Sequence, residues 1–239
     1  MTATTTGSGP VVHPVVPPVV PPVSRPIVPS IFRPRVAIAD TGTGNLRSVE
    51  KALATAGADV VVTADADAIA RADKVVVPGQ GAFGGCMAGL TRAGGALEQA
   101  VRGAIAAGRP YLGICLGLQV LFDGSEEDPT LRGLGIFPGQ VRRFTPTPGL
   151  KIPHMGWNVA RRGPATGSPV TAAIPDGTFF YFVHSYYADP TRAADVALAS
   201  EFGAPFCAAV ARDNIFACQF HPEKSQAAGL ALLRAFVTA

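Results

Sequence analysis

The sequence predicts an α/β domain built on a largely parallel sheet covered by helices on both faces, with additional antiparallel strands joined to it. Up to about residue 120, short β-branched runs alternate with stretches of helical spacing, the pattern of a parallel sheet with helical crossovers. Beyond residue 133 the rhythm changes to closely spaced strands punctuated by Gly and Pro, before a closing helical pattern.

The elements follow in order. Residues 1–34 are dominated by Val, Pro and Thr, and repeated proline removes backbone donors and fixes φ, so a disordered Pro/Val-rich N-terminal extension is expected there. The folded domain is expected to span 35–239. RVAIAD, from Arg35, reads as a strand, and GNLRSVEKALATAG as a helix that stops at Gly57. DVVVT and KVVVPG are β-branched runs suited to strands buried on both faces, and Ala96 to Ala107 reads as the helix before a further strand, YLGIC. IFPGQVRRF, TFFYFVHSYY, PFCAAVAR and IFACQF read as later strands, some antiparallel. SQAAGLALLRAFVTA closes the chain as a helix with Leu230, Leu233 and Phe236 or Val237 near one face.

Composition excludes several classes. The chain is 48% hydrophobic and only 15% charged, enough for one sizeable core. Its net charge of +3 comes from scattered Lys and Arg, so no nucleic acid partner is expected. The four cysteines form no CxxC pair and the histidines have no zinc spacing, which argues against a metal site. A chain this long and apolar does not need disulfides, so a reducing, cytoplasmic setting is expected. No apolar run reaches the roughly 20 residues of a membrane helix.

The chemistry concentrates in three segments. YLGICLGLQVLF places Cys115 between an apolar strand and a helical pattern, flanked by Gly113 and Gly117, the cysteine form of a nucleophile elbow. A thiolate nucleophile needs a proton shuttle held by an orienting group. IFACQFHPEKS offers both, since His221 and Glu223 share one loop at a strand end and Pro222 stiffens the link. In VVVPGQGAFGG a buried strand runs into Pro78, Gly79 and Gly81, and the glycines allow backbone N–H groups to turn toward a small anion, an oxyanion or a carboxylate; the Gly-Lys-Ser/Thr ending of a phosphate loop is missing. Thr41-Gly42-Thr43-Gly44-Asn45-Leu46-Arg47 begins like a dinucleotide fingerprint but has Arg at the third glycine. No cofactor is expected.

From Val36 to nearly the C-terminus the sequence resembles the class I glutamine amidotransferases, and within them the glutaminase subunits of imidazole glycerol phosphate synthase. PGQGAF, GICLGLQVLF, GLGIFPGQVRRF, KIPHMGWN, FYFVHSYY and CQFHPEKSQ carry the resemblance, in the family's order. It implies a three-layer, flavodoxin-like fold and a glutaminase with Cys115, His221 and Glu223 as its triad. It further implies that Gly81 and the Leu116 N–H serve the oxyanion, and that Gln119 and the backbone around Ser185 hold the amino-acid end of glutamine. By the same resemblance, Asn45, Lys151, His154, Trp157 and Asn158 face a (β/α)8-barrel cyclase in a heterodimer of histidine biosynthesis. His184 itself is expected to be structural.

Two positions depart from the family pattern. Thr41 stands where members commonly carry tyrosine, and Gln80 where they carry a small apolar residue. Two other classes can use this scaffold: a cysteine peptidase or esterase with the same triad, and a non-catalytic binding protein. Turnover of glutamine against peptide or ester substrates separates the first; the intact Cys, His and Glu argue against the second.

Overall fold

Strands made of Val, Ile and Ala carry no polar side chain that needs water, so they settle where helices cover both sheet faces. In the computed structural model, which describes residues 33–165 and 167–239, β1 (Arg35–Ala39) lies between β2 (Asp59–Thr63) and β3 (Lys74–Gly79), parallel to both. The crossovers are α1 (Leu46–Ala56), α2 (Ala66–Arg71) and α3 (Phe83–Ala106), the last leading to β4 (Tyr111–Cys115) beside β3. After the single turn α4 (Leu116–Gln119) come β5 (Gly124–Ser125), β6 (Asp128–Arg132), β7 (Gly139–Arg143) and β8 (His154–Arg162). A short α5 (Pro169–Ala172) precedes β9 (Thr178–His184), β10 (Tyr186–Pro190), β11 (Val196–Phe202), β12 (Ala204–Arg212) and β13 (Ile215–Cys218). The closing helix is α6 (Gln226–Thr238).

The main sheet runs β2-β1-β3-β4-β13-β12-β10-β7-β5-β6, with β11, β8 and β9 branching from β12. The last strand, β13, returns to lie parallel beside β4 and antiparallel to β12, so it joins the parallel half to the antiparallel half. Two cores flank the sheet. Leu53, Phe180, Phe220, Leu233 and Phe236 belong to the one under α1 and α6; Ile69, Leu90, Val101, Phe122 and Phe137 belong to the one under α2 and α3.

Several expectations are corrected. DVVVT forms β2 at the sheet edge and is only half-buried, whereas KVVVPG in β3 is buried throughout. The helix read at Ala96 to Ala107 is present as the second part of α3; the part from Phe83, not read from sequence, is set off from it by a break at Arg92–Gly95, where Ala93, Gly94 and Gly95 have φ of 52°, 76° and 80°. TFFYFVHSYY divides at Ser185 into β9 and β10, and KIPHMGWN, not assigned to an element from sequence, enters β8. On α6, Leu232 is buried with Leu233, Phe236 and Val237, and Leu230 is not. The extension expected at 1–34 lies, up to residue 32, outside the described residues.

Candidate active site

Ligands of parallel α/β sheets bind beyond the carboxyl ends of the strands. Register brings three such ends together, since Gly79 of β3 pairs with Cys115 of β4, and Cys218 of β13 pairs with Ile114. The segments after these strands are Gln80-Gly81, the turn at Cys115, and Gln219 to Glu223. The three motifs that stood apart in sequence therefore emerge side by side.

Cys115 ends β4 with φ 54° and ψ −101°, a conformation that costs free energy for a residue with a Cβ and that turns the chain sharply from strand to helix. The flanking glycines are required sterically. A Cβ on Gly117 would lie 1.7 Å from the Val77 carbonyl oxygen, and one on Gly113 would lie 2.4 Å from the Gly117 oxygen. Tyr111 Oη, fully buried, donates to that same Gly117 oxygen at 2.8 Å and braces the turn from below. The helix expected after the elbow is the single turn of α4. Its electrostatic contribution therefore comes from the unpaired N–H groups of one turn and not from a long macrodipole.

His221 follows β13, and its Nδ1 meets Glu223 Oε1 at 2.8 Å with both side chains almost wholly buried. Burial works against a charged imidazole, but the neighbouring Cys115 sulfur and Glu223 carboxylate outweigh it and push the pKa up to about 9. His221 Nε2 is buried and makes no hydrogen bond of ordinary geometry among the described residues. Nucleophile and base are often this loose before substrate closes the site. Burial raises the thiol pKa of Cys86 to about 11 and of Cys207 to about 12, and it lifts that of Cys218 well above the ordinary value.

A cavity of about 330 Å³ opens over Cys115, lined among others by Gln80, Gly81, Gln119, Glu127 and Ser185. Gly81 has φ 102°, and a Cβ on Gly79 would lie 2.7 Å from Leu116 Cβ, so the loop after β3 is pressed against the first residue of α4. The Gln119 amide nitrogen donates to Tyr186 O at 3.0 Å and to Gln219 Oε1 at 3.1 Å, which leaves Oε1 as its open acceptor. The Ser185 carbonyl accepts from Phe144 N at 3.1 Å. Leu116 lines the cavity as well.

Sequence reasoning missed two residues here. Glu127 brings a carboxylate to the cavity, with Oε2 held by the Phe83 N–H at 2.7 Å; its Ser-Glu-Glu-Asp context resembles an ordinary solvated turn. Gln219, fully buried, donates from Nε2 to Cys115 Sγ at 3.5 Å. Its signal was a polar residue inside an otherwise apolar strand end.

The residues expected at a partner surface separate into groups. Trp157 and Met155 on β8, with Phe179 on β9, are large apolar side chains left exposed, and Trp157 meets Tyr181 edge-on with centroids 6.2 Å apart. Lys151 is exposed in the loop before β8, and Asn45 is exposed while capping α1 at Ser48 N. His154, by contrast, is buried beneath that face. Its Nδ1 lies 2.9 Å from His184 Nε2, and Asn158 Nδ2 lies 3.1 Å from its Nε2. His184 Nδ1 meets the Tyr186 carbonyl at 2.8 Å. Because a carbonyl only accepts, His184 carries its proton on Nδ1 and His154 donates from Nδ1 in turn. Burial lowers the pKa of His154 to about 4 and of His184 to about 3, so both rings are neutral at physiological pH.

Among the described residues no cluster of His, Cys, Asp or Glu is arranged to hold a metal ion, and no helix is long and apolar enough to cross a membrane.

The profile of the family described as "Glutamine amidotransferase class-I" matches residues 37–239. Imidazole glycerol phosphate synthase subunit HisH of Methylococcus capsulatus is 54% identical over 210 residues, covering 84% of this chain and 95% of its own. The HisH subunit of Syntrophotalea carbinolica is 50% identical, covering 84% of this chain and 98% of its own. Among solved structures, PurLQS from Thermotoga maritima superposes with a TM-score of 0.61 at 18% identity, covering 87% of this chain and 99% of that one. The glutaminase domain of Trypanosoma brucei CTPS, with bound acivicin, gives 0.56 at 18% identity, covering 85% and 94%. At that identity the two structures speak for the fold alone. With the family profile spanning the whole folded domain and relatives half-identical over nearly their full length, the chain belongs to the class I glutamine amidotransferases, among the HisH subunits of imidazole glycerol phosphate synthase.

Proposed function

We propose that the chain hydrolyses glutamine to glutamate and ammonia, with Cys115 as nucleophile, His221 as proton shuttle and Glu223 as its orienter. The observation that carries this reading is the left-handed turn at Cys115 beside the buried His221–Glu223 pair, at the floor of the cavity. His221 takes the thiol proton and Cys115 Sγ attacks the side-chain carboxamide carbon of glutamine. The raised basicity of His221 favours its holding that proton. The carboxamide oxygen becomes an oxyanion facing the N–H groups of Leu116 and Gly81, a contribution worth about 2.7–4 kcal/mol per donor. His221 then returns the proton to the departing nitrogen, releasing ammonia and leaving a thioester. Water, deprotonated by His221, attacks the thioester carbonyl; glutamate leaves and the thiol is restored.

The amino-acid end of glutamine fits the far side of the cavity. Glu127 and the open Gln119 Oε1 are acceptors suited to the α-ammonium, and the Ser185 segment supplies the remaining polar contacts. The ammonia goes to a cyclase subunit, a (β/α)8 barrel in a one-to-one heterodimer, which makes imidazole glycerol phosphate and an aminoimidazole carboxamide ribotide in histidine biosynthesis. The exposed Trp157, Met155 and Phe179 row supports a docking face there, with Asn158 on the same strand and Lys151 in the loop before it; His154 supports it from beneath, and Asn45 is assigned to the interface by family resemblance. Four free buried thiols suit a reducing cytoplasm. The test is Cys115→Ala in the assembled enzyme. Glutamine use should vanish while ammonium salts at alkaline pH still feed the partner; loss of both activities in an intact complex would contradict this division of labour.

A further inference from the structure

Gln219 is fully buried and does not line the cavity, yet both ends of its amide are engaged. Oε1 accepts from Gln119 Nε2 at 3.1 Å, and Nε2 donates to Cys115 Sγ at 3.5 Å. The backbone is pinned as well, since Gln219 N donates to Ala208 O at 2.8 Å. The orientation of this amide is dictated from outside. The Tyr186 carbonyl can only accept, so the atom of Gln119 that meets it is nitrogen; that same nitrogen reaches Gln219, so the near atom of Gln219 is its oxygen. The nitrogen of Gln219 is thereby turned to the sulfur. The reverse orientation would set an oxygen lone pair against a thiolate.

We propose that Gln219 is a positioning residue for the nucleophile: its amide, oriented by Gln119 and the Tyr186 carbonyl, holds a hydrogen toward Cys115 Sγ and favours the thiolate at the attacking position. This rests on the reading of Cys115 as nucleophile. It adds that the residue assigned to glutamine's amino-acid end, Gln119, also fixes the polarity of the group behind the sulfur. Hydrogen bonds to the charged form of an acid favour that form. The titratable groups around Cys115 are His221, with Glu223 behind it, Cys218 on β13 and Cys86 on α3, with Glu127 and Lys224 lining the cavity above it, and none is altered by substitution at Gln219.

The experiment follows carbamidomethylation of Cys115 by iodoacetamide against pH on the full chain, with the modified peptide identified by mass and Cys115→Ala as the blank. Gln219→Met keeps the bulk and removes the donor, and should raise the midpoint of thiolate reactivity by about one unit. Gln219→Glu puts a like charge beside the sulfur and should raise it further. Gln119→Leu releases the amide of Gln219 to turn over and should move the midpoint the same way by less. A change in packing alone would not order the three variants like this. Midpoints unmoved in folded Gln219 variants overturn the assignment. Should those variants not fold, an unmoved midpoint in Gln119→Leu overturns it. Glutamine hydrolysis measured in parallel separates the two readings. Activity surviving in Cys115→Ala sinks the nucleophile itself, whereas an inactive Cys115→Ala with unmoved midpoints sinks only the role of Gln219.

Discussion

Acidification should destabilise this protein through two histidines outside the triad. His154 and His184 share a hydrogen bond of 2.9 Å with both tautomers fixed, and burial holds their pKa values at about 4 and about 3 against an ordinary 6.5. Unfolding exposes them to water, so below pH 6.5 the unfolded chain binds protons that the folded one refuses, and stability falls as pH falls toward 4. Between about pH 7 and about pH 5 the loss is ~2 kcal/mol for each ring and ~4 kcal/mol for the pair. His221 acts with the opposite sign. Its pKa is raised to about 9, so its contribution is complete below pH 6.5 and is lost as pH rises through 9. The assay is urea unfolding of wild type and His154→Phe at the two pH values. Phenylalanine suits a site stacked on Phe182 and Phe202 at 4.9 and 4.3 Å, although it leaves His184 Nε2 without its donor and costs about 1–3 kcal/mol at both pH values. His221 is common to both proteins and cancels in the difference. The variant should lose only about half as much stability on acidification; an equal loss would refute the neutral, buried dyad.

Two further outcomes are expected. Gly117→Ala would drive a methyl into the Val77 carbonyl, 1.7 Å away, so glutamate release should fall by orders of magnitude although Cys115, His221 and Glu223 all remain; near-normal turnover in the folded variant would mean that the elbow tolerates relaxation. Trp157→Ala should weaken association with the partner subunit by ~2 kcal/mol, roughly thirtyfold in Kd, with an unchanged unfolding midpoint; calorimetric titration showing the same Kd would remove that face from the interface.

The alternation of β-branched runs with helical spacing determined the parallel half of the sheet, because side chains suited to a doubly covered strand suit little else. Gly-x-Cys-x-Gly and His-Pro-Glu were legible because their chemistry is local: a sharp turn needs glycine, and an orienter two residues from a base reaches it within one loop. The positions of β2 and β8 were not legible. Whether a Val-rich strand is central or at an edge, and whether KIPHMGWN pairs with TFFYFVH, depends on contacts between segments far apart in the chain. Burial of His154 followed from the same pairing, since it turns the ring inward while Met155 and Trp157, alternating along the strand, face out. Gln219 and Glu127 show the limit most clearly. Nothing in the order of residues says that a strand-end glutamine will stand behind a sulfur 104 positions earlier, or that an acidic turn will fold over the cavity. The first proximity is created only when β13, the last strand, inserts in parallel beside β4, placing the end of the chain next to its middle; the second arises where the β5–β6 turn meets the start of α3.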